Sequence, residues 1–284
     1  MIELLQQTIV QIGDLPGSLV YQLVLAFAVA AAWAVAFGHW WRVRAADPGA
    51  GRLALATGAI FAIRLLSLAL ALLAAAAVLN PLILPPPFER AAGVLTALLL
   101  IWLVAFPRPA RLADAAFGGA VVLVLVALGI SWGVWAQEAR VTAFYNSSFQ
   151  ETLWELAQII VLAAGLLGLL VLSVRRRPYA LLGSLMLALL LAGHLLHYTY
   201  TIAGTNVPGA ARLFEMVALP LLAALAYLRL PAAGPVTVTP ARAQPTEPLP
   251  PPLVTLPPAP SDAAALALAG LGAVTNPAEL PPLL

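Results

Sequence analysis

Seven apolar runs constrain this chain more than any other feature of its sequence. Each is close to the ~20 residues that a helix needs to cross a bilayer. They lie at residues 19–41, 53–79, 88–106, 112–136, 151–174, 179–200 and 210–230. The connections carry helix breakers: Asp47-Pro48-Gly49, Pro85-Pro86-Pro87, Pro107-Arg108-Pro109 and Thr205-Asn206-Val207-Pro208-Gly209. Hydrocarbon offers no water to an open backbone, so each run must satisfy its own N–H and C=O groups as a helix. The expected fold is an all-α membrane protein, a seven-transmembrane helix bundle. Composition agrees, since 62% of the 284 residues are hydrophobic and only 9% charged, where a soluble domain carries about 25% charged.

Arginine sets the orientation. Arg42, Arg44 and Arg52 flank the first connection, Arg108 and Arg111 the third, Arg175, Arg176 and Arg177 the fifth, and Arg229 closes the last span. With seven spans, all of these lie on one side. The other side carries Glu3, Asp14, Glu89, Arg90, Glu138, Arg140 and Glu151. The positive-inside rule then predicts the N-terminus outside and the C-terminus cytoplasmic.

Outside the spans the composition changes. Residues 1–18 hold a predicted extracytoplasmic interfacial helix, with Ile2, Leu5, Ile9 and Ile12 on one stripe. They lack the basic start of a signal peptide. Residues 19–230 form the membrane domain. Residues 231–260 are Pro-rich and read as a disordered linker. Residues 261–284 read as the start of a further cytoplasmic module. Asn276-Pro277-Ala278-Glu279 opens a helix five residues before Leu284, so the sequence is expected to continue.

Absent residue types exclude some chemistry. Every basic residue is Arg, and a retinal Schiff base requires a lysine amine. Without Cys there are no disulfides, thioether haem links or thiolate metal sites. No basic run is interleaved with aromatics, so nucleic acid is not an expected partner. No cofactor is expected.

The polar residues that remain concentrate between Gly193 and Met216. His194, His197, Tyr198 and Thr201 are spaced to share a helix face, and Arg212 and Glu215 are spaced to pair locally. Glu155 lies one turn inside span five. Ionisable groups at membrane depth mark functional sites by default, so Glu155, His194, His197, Tyr198, Arg212 and Glu215 are the candidate ligand-binding set. Two His with two Glu are adequate zinc or iron ligands. However, His pairs at i, i+3 in an apolar helix more often bond hydroxyls or carbonyls, and no metal is expected. Arg64, eleven residues into span two and so ~16 Å deep, must find a buried partner, as an ion pair or a switch. Pro220 removes a backbone bond inside span seven and is the expected hinge. No residue set reads as catalytic.

From these residues the chain resembles the N-terminal seven-span sensor region of bacterial membrane histidine kinases and related signalling proteins. The likeness rests on the N-out plan and on the last span, RLFEMVALPLLAALAYLRL. The tail ALALAGLGAVTNPAELPPLL is similar to the opening helix of a GAF-type domain. The resemblance implies a sensor of a small or lipophilic ligand, or of membrane state, that feeds cytoplasmic GAF, PAS or kinase modules in a two-component system. No phosphoacceptor His box or nucleotide-binding motif is present, so this chain alone is not expected to be an enzyme. Pro231 interrupts the helix that such sensors use for relay, and a homodimer that signals through dimerisation or tethering fits the linker better. A transporter or permease, or a structural subunit of a larger complex, is the alternative.

Overall fold

A computed structural model describes residues 7–8, 11, 15–43, 47–141, 144–173, 178–201 and 204–229. The chain divides into two compact units, residues 1–233 and 234–284, and only the first contains described residues. The linker, the C-terminal module, Arg44 and Arg175, Arg176 and Arg177 therefore lie outside the described residues. Of the interfacial helix only Gln7, Thr8 and Gln11 are described, and all three are helical.

Regular structure among the described residues is wholly helical. The long helices are α1 (Leu15–Val43), α2 (Pro48–Ala75), α3 (Pro85–Ala105), α4 (Arg111–Glu138), α5 (Phe149–Ser173) and α6 (Pro178–Thr199), followed by the short pair α7 (Gly209–Ala218) and α8 (Leu221–Leu228). With α7 and α8 taken as one span, seven helices are long and apolar enough to cross a membrane.

Local chemistry explains the boundaries, including three that differ from expectation. Asp47 caps α2, its Oδ1 accepting the Gly49 N–H at 2.8 Å, and Pro48 takes the first turn, where its missing N–H costs nothing. Span two stops at Ala75 rather than Leu79. The Ala77 and Val78 N–H groups bond back to the Ala74 and Leu73 carbonyls, a Schellman ending, and Ala77 takes a left-handed φ of 56°. A glycine there would have marked the stop; alanine hides it. Span three begins at Pro85, not Phe88, because prolines are tolerated throughout a first turn. Span seven is interrupted at Leu219 and Pro220, which keep helical backbone angles. The Leu222 and Ala223 N–H groups bond only three residues back, to Leu219 and Pro220.

Helix α3 is the centre of the bundle, packing on α2, α4, α5 and α6. It buries residues around its whole circumference, from Ala91 and Ala92 to Leu100 and Leu103. Helix α1 lies along α2 and α8, and α6 along α5 and α7. The core joins Leu25, Val29, Ile60, Leu103, Leu162, Leu187 and Leu222. Lipid gives no hydrophobic drive between helices, so close approach at small residues does the packing. A Cβ on Gly193 would sit 2.7 Å from the Phe214 Cβ, and one on Gly183 2.6 Å from a Val104 methyl. Those two glycines seat α6 against α7 and α3.

Candidate functional site

At the end of the bundle where α7 begins, the buried charges collect into three ion pairs. Arg64 of α2 reaches Glu215 of α7 with both terminal nitrogens, each at 3.1 Å. The Tyr21 hydroxyl of α1 donates to the same carboxylate. Arg212, one turn before Glu215, clasps Glu89 of α3 through Nε at 2.6 Å and Nη2 at 2.8 Å. It also donates to Ser18 at 3.2 Å and lies over the Tyr21 ring at 4.7 Å. Arg90 of α3, with no exposed surface, donates to Glu151 of α5 at 2.6 and 2.8 Å and to Asn146 at 2.7 Å. Two-toothed pairs of this kind are the strong form of a charged hydrogen bond, and they suit a buried guanidinium.

The histidines extend the network. His197 Nε2 is 3.0 Å from Glu151 and His194 Nδ1 is 2.9 Å from Glu155. Glu155 is 2% exposed and its Oε2 has no partner among the described residues. Three arginines thus serve Glu89, Glu151 and Glu215. A fourth buried carboxylate, Glu155, has His194 alone. The loop side is closed by Asn146, whose amide donates to Thr205 at 2.8 Å and to the Val207 carbonyl at 3.0 Å. Although Asn146-Ser147-Ser148 matches a glycosylation acceptor, this buried amide is occupied in packing. Next to it, burial pushes the Tyr145 phenol up to about 12, so it stays protonated against the Trp135 ring.

Of the six candidate ligand residues, the structure brings Glu155 to His194, places His197 beside them on Glu151, and joins Arg212 and Glu215 to the neighbouring pairs. It does not bring Tyr198 in. That side chain is 48% exposed, because it sits ~100° around the helix from His197. Arg212 and Glu215 do not pair with each other; each takes a two-toothed partner on another helix. Arg64 has its buried partner in Glu215. Pro220 follows the break that ends α7.

Sequence reasoning left Tyr21, Glu89, Arg90 and Glu151 out of the site. The last three are counted there as charges of the outer connections. The usable signal was the Pro85-Pro86-Pro87 start, which carries Glu89 and Arg90 a full turn into the bundle.

Two chemical possibilities can be weighed on this geometry. Atoms of Glu151, Glu155 and His197 lie within 4.8 Å of one another, a donor set adequate for a metal ion. Glu215, which the sequence groups with them, is held by Arg64 instead, and both Glu151 oxygens already accept from Arg90. The arrangement works as an ion-pair network. Beside it, a cleft of about 290 Å³ opens between α1, α2, α3 and the loop before α7, with Ser18, Gln22, Ser67, Glu89, Asn206 and Arg212 supplying its polar lining. Of the six candidate residues, Arg212 lines this cleft. No family model matches this chain, and no curated protein or solved structure matches it.

Proposed function

We propose that this chain is the membrane-embedded input region of a bacterial signal-transduction protein of the sensor histidine kinase type. It lies in the inner membrane with its N-terminus outside and its C-terminus cytoplasmic. A small or lipophilic ligand occupies the cleft beside Arg212, and span seven relays the change to cytoplasmic modules.

One observation carries this reading. The ten-residue helix α7 holds both Arg212, at the cleft, and Glu215, bound to Arg64 and Tyr21, and it ends at the Pro220 break. A ligand that displaces Arg212 from Glu89 shifts a short rigid segment. That segment is coupled by hydrogen bonds to α1 and α2 and separated by a break from the exit helix α8. Only ligand contacts that differ between two arrangements can bias them, and a salt bridge at a cleft wall provides such a difference.

The test is made in the producing cell. Chromosomal Arg212→Gln and Glu215→Gln variants should insert at normal levels yet shift the transcript profile that responds to this protein. If both variants reach the membrane in wild-type amounts and leave the profile unchanged, the sensor reading is wrong. Uptake of a solute by proteoliposomes of the purified chain would replace it with a transporter.

A further inference from the structure

We infer that the opposite end of the bundle binds a phosphate ester, either the headgroup of an anionic phospholipid or a soluble phosphate monoester. A cleft of about 740 Å³ opens there between the ends of α1 and α8, the start of α2, the α3–α4 connection and Tyr179 of α6. Its polar lining includes His39, Asp47, Arg108, Tyr179 and Arg229.

Two nitrogens in that lining are buried and idle. His39 is 6% exposed, and neither its Nε2 nor the Arg229 Nη2 has a hydrogen-bond partner among the described residues. Buried polar groups are nearly always satisfied, and leaving one unmade costs more than a typical bond contributes. Arg229 is held in place with its guanidinium 4.8 Å above the Tyr179 ring, which leaves the edge of the fork available to an acceptor.

Among the described residues no acceptor reaches either atom. Asp47 is the acidic residue of the lining, and its Oδ1 is committed to capping α2. The nearby carboxylate Asp114 belongs to Arg52 and Trp102. Arg108 and Arg229 against Asp47 leave the lining one arginine in excess of its carboxylates.

An anion with several oxygens answers both vacant nitrogens at once, and phosphate suits the guanidinium fork. The volume falls within the range of small-molecule pockets and exceeds what an inorganic ion needs. The remaining lining, with Leu53, Phe106 and Leu228, takes the apolar body of an ester. Because Arg229 directly follows α8, a phosphate held here fastens the exit of span seven to α1 and to the α3–α4 connection. The inference stands whether or not the chain is a sensor.

The experiment uses the full chain in phosphatidylcholine nanodiscs, with two probes. In one arm phosphatidylglycerol is mixed into the disc and retained lipid is read by native mass spectrometry. In the other, glycerol 3-phosphate is added to the medium and binding is read by calorimetry. Arg229→Gln and His39→Gln should each weaken the bound probe by about tenfold, the size of one hydrogen bond to a charged group. Arg42→Gln should not, since Arg42 is exposed, donates to the Gly38 carbonyl and is outside the cleft. Lipid retention alone assigns the headgroup; glycerol phosphate binding alone assigns the soluble ester. The inference is overturned if wild type holds neither probe, or if both cleft variants hold them as wild type does. Where Arg229→Gln lowers the thermal midpoint, the more conservative His39→Gln decides.

Discussion

The two ends of the bundle treat buried charge in opposite ways. Where α7 begins, Arg64, Arg90 and Arg212 each face a carboxylate with two nitrogens, and the histidines fill in behind them. At the other end Arg52 has Asp114, but Arg229 and His39 keep idle nitrogens at the wall of an open cleft. Closed pairs lock helices together, so a ligand at the Arg212 cleft has to displace a partner already in place. The idle nitrogens at the other end offer bonds that no described group gives up. Binding at the first end is coupled to a change in packing, and binding at the second is not.

The largest test of the contrast is at Arg90. Arg90→Leu leaves the buried Glu151 with His197 alone, and breaking one side of a buried pair costs about 3–5 kcal/mol. Denaturant unfolding in micelles should show a loss of that size, and Arg90→Leu with Glu151→Leu should recover much of it. If the single change is mild, the closed end is not holding the bundle.

Next comes Glu215→Gln. The amide still accepts one bond from Arg64 but gives up the charge, so about 2–3 kcal/mol should go, near the upper range for hydrogen bonds to charged groups. A loss equal to that of Arg90→Leu would mean that Gln cannot reach Arg64.

The smallest effect belongs to Arg229→Gln. In phosphate-free buffer and zwitterionic lipid its unfolding free energy should fall by no more than about 1 kcal/mol, the size of its contact with the Tyr179 ring. A loss approaching that at Arg90 would erase the distinction between the ends.

Much of the fold was legible because hydropathy is a local property, and the seven spans are written in consecutive residues. The pairings were not. Arg64 and Glu215 are 151 residues apart and Arg212 and Glu89 123 apart, and nothing in a sequence ranks a distant partner above a near one. Arg212 and Glu215 looked like a pair because three residues separate them. In a water-poor interior, a partner that meets both guanidinium nitrogens wins over one that is merely adjacent. Glu89 and Arg90 were misplaced for a different reason: three prolines look like a loop, yet they begin α3. The end of span two was hidden because alanine, not glycine, adopts the left-handed turn at Ala77. The cleft at the opposite end could not be foreseen, since a cavity is a property of packed neighbours.

The short central helix has a consequence for how the molecule sits in its membrane. Helix α3 has 21 residues between Pro85 and Ala105, ~32 Å at ~1.5 Å per residue, which matches an average hydrocarbon thickness of ~30 Å. Three other helices are longer: α1 has 29 residues and α2 and α4 have 28 each, ~42–44 Å by the same rise. Prolines bracket α3 at both ends, so it cannot lengthen. The peripheral helices take up the excess by tilting or by standing out of the bilayer. In a thinner bilayer those outer helices lean first, while the middle of the bundle keeps its measure.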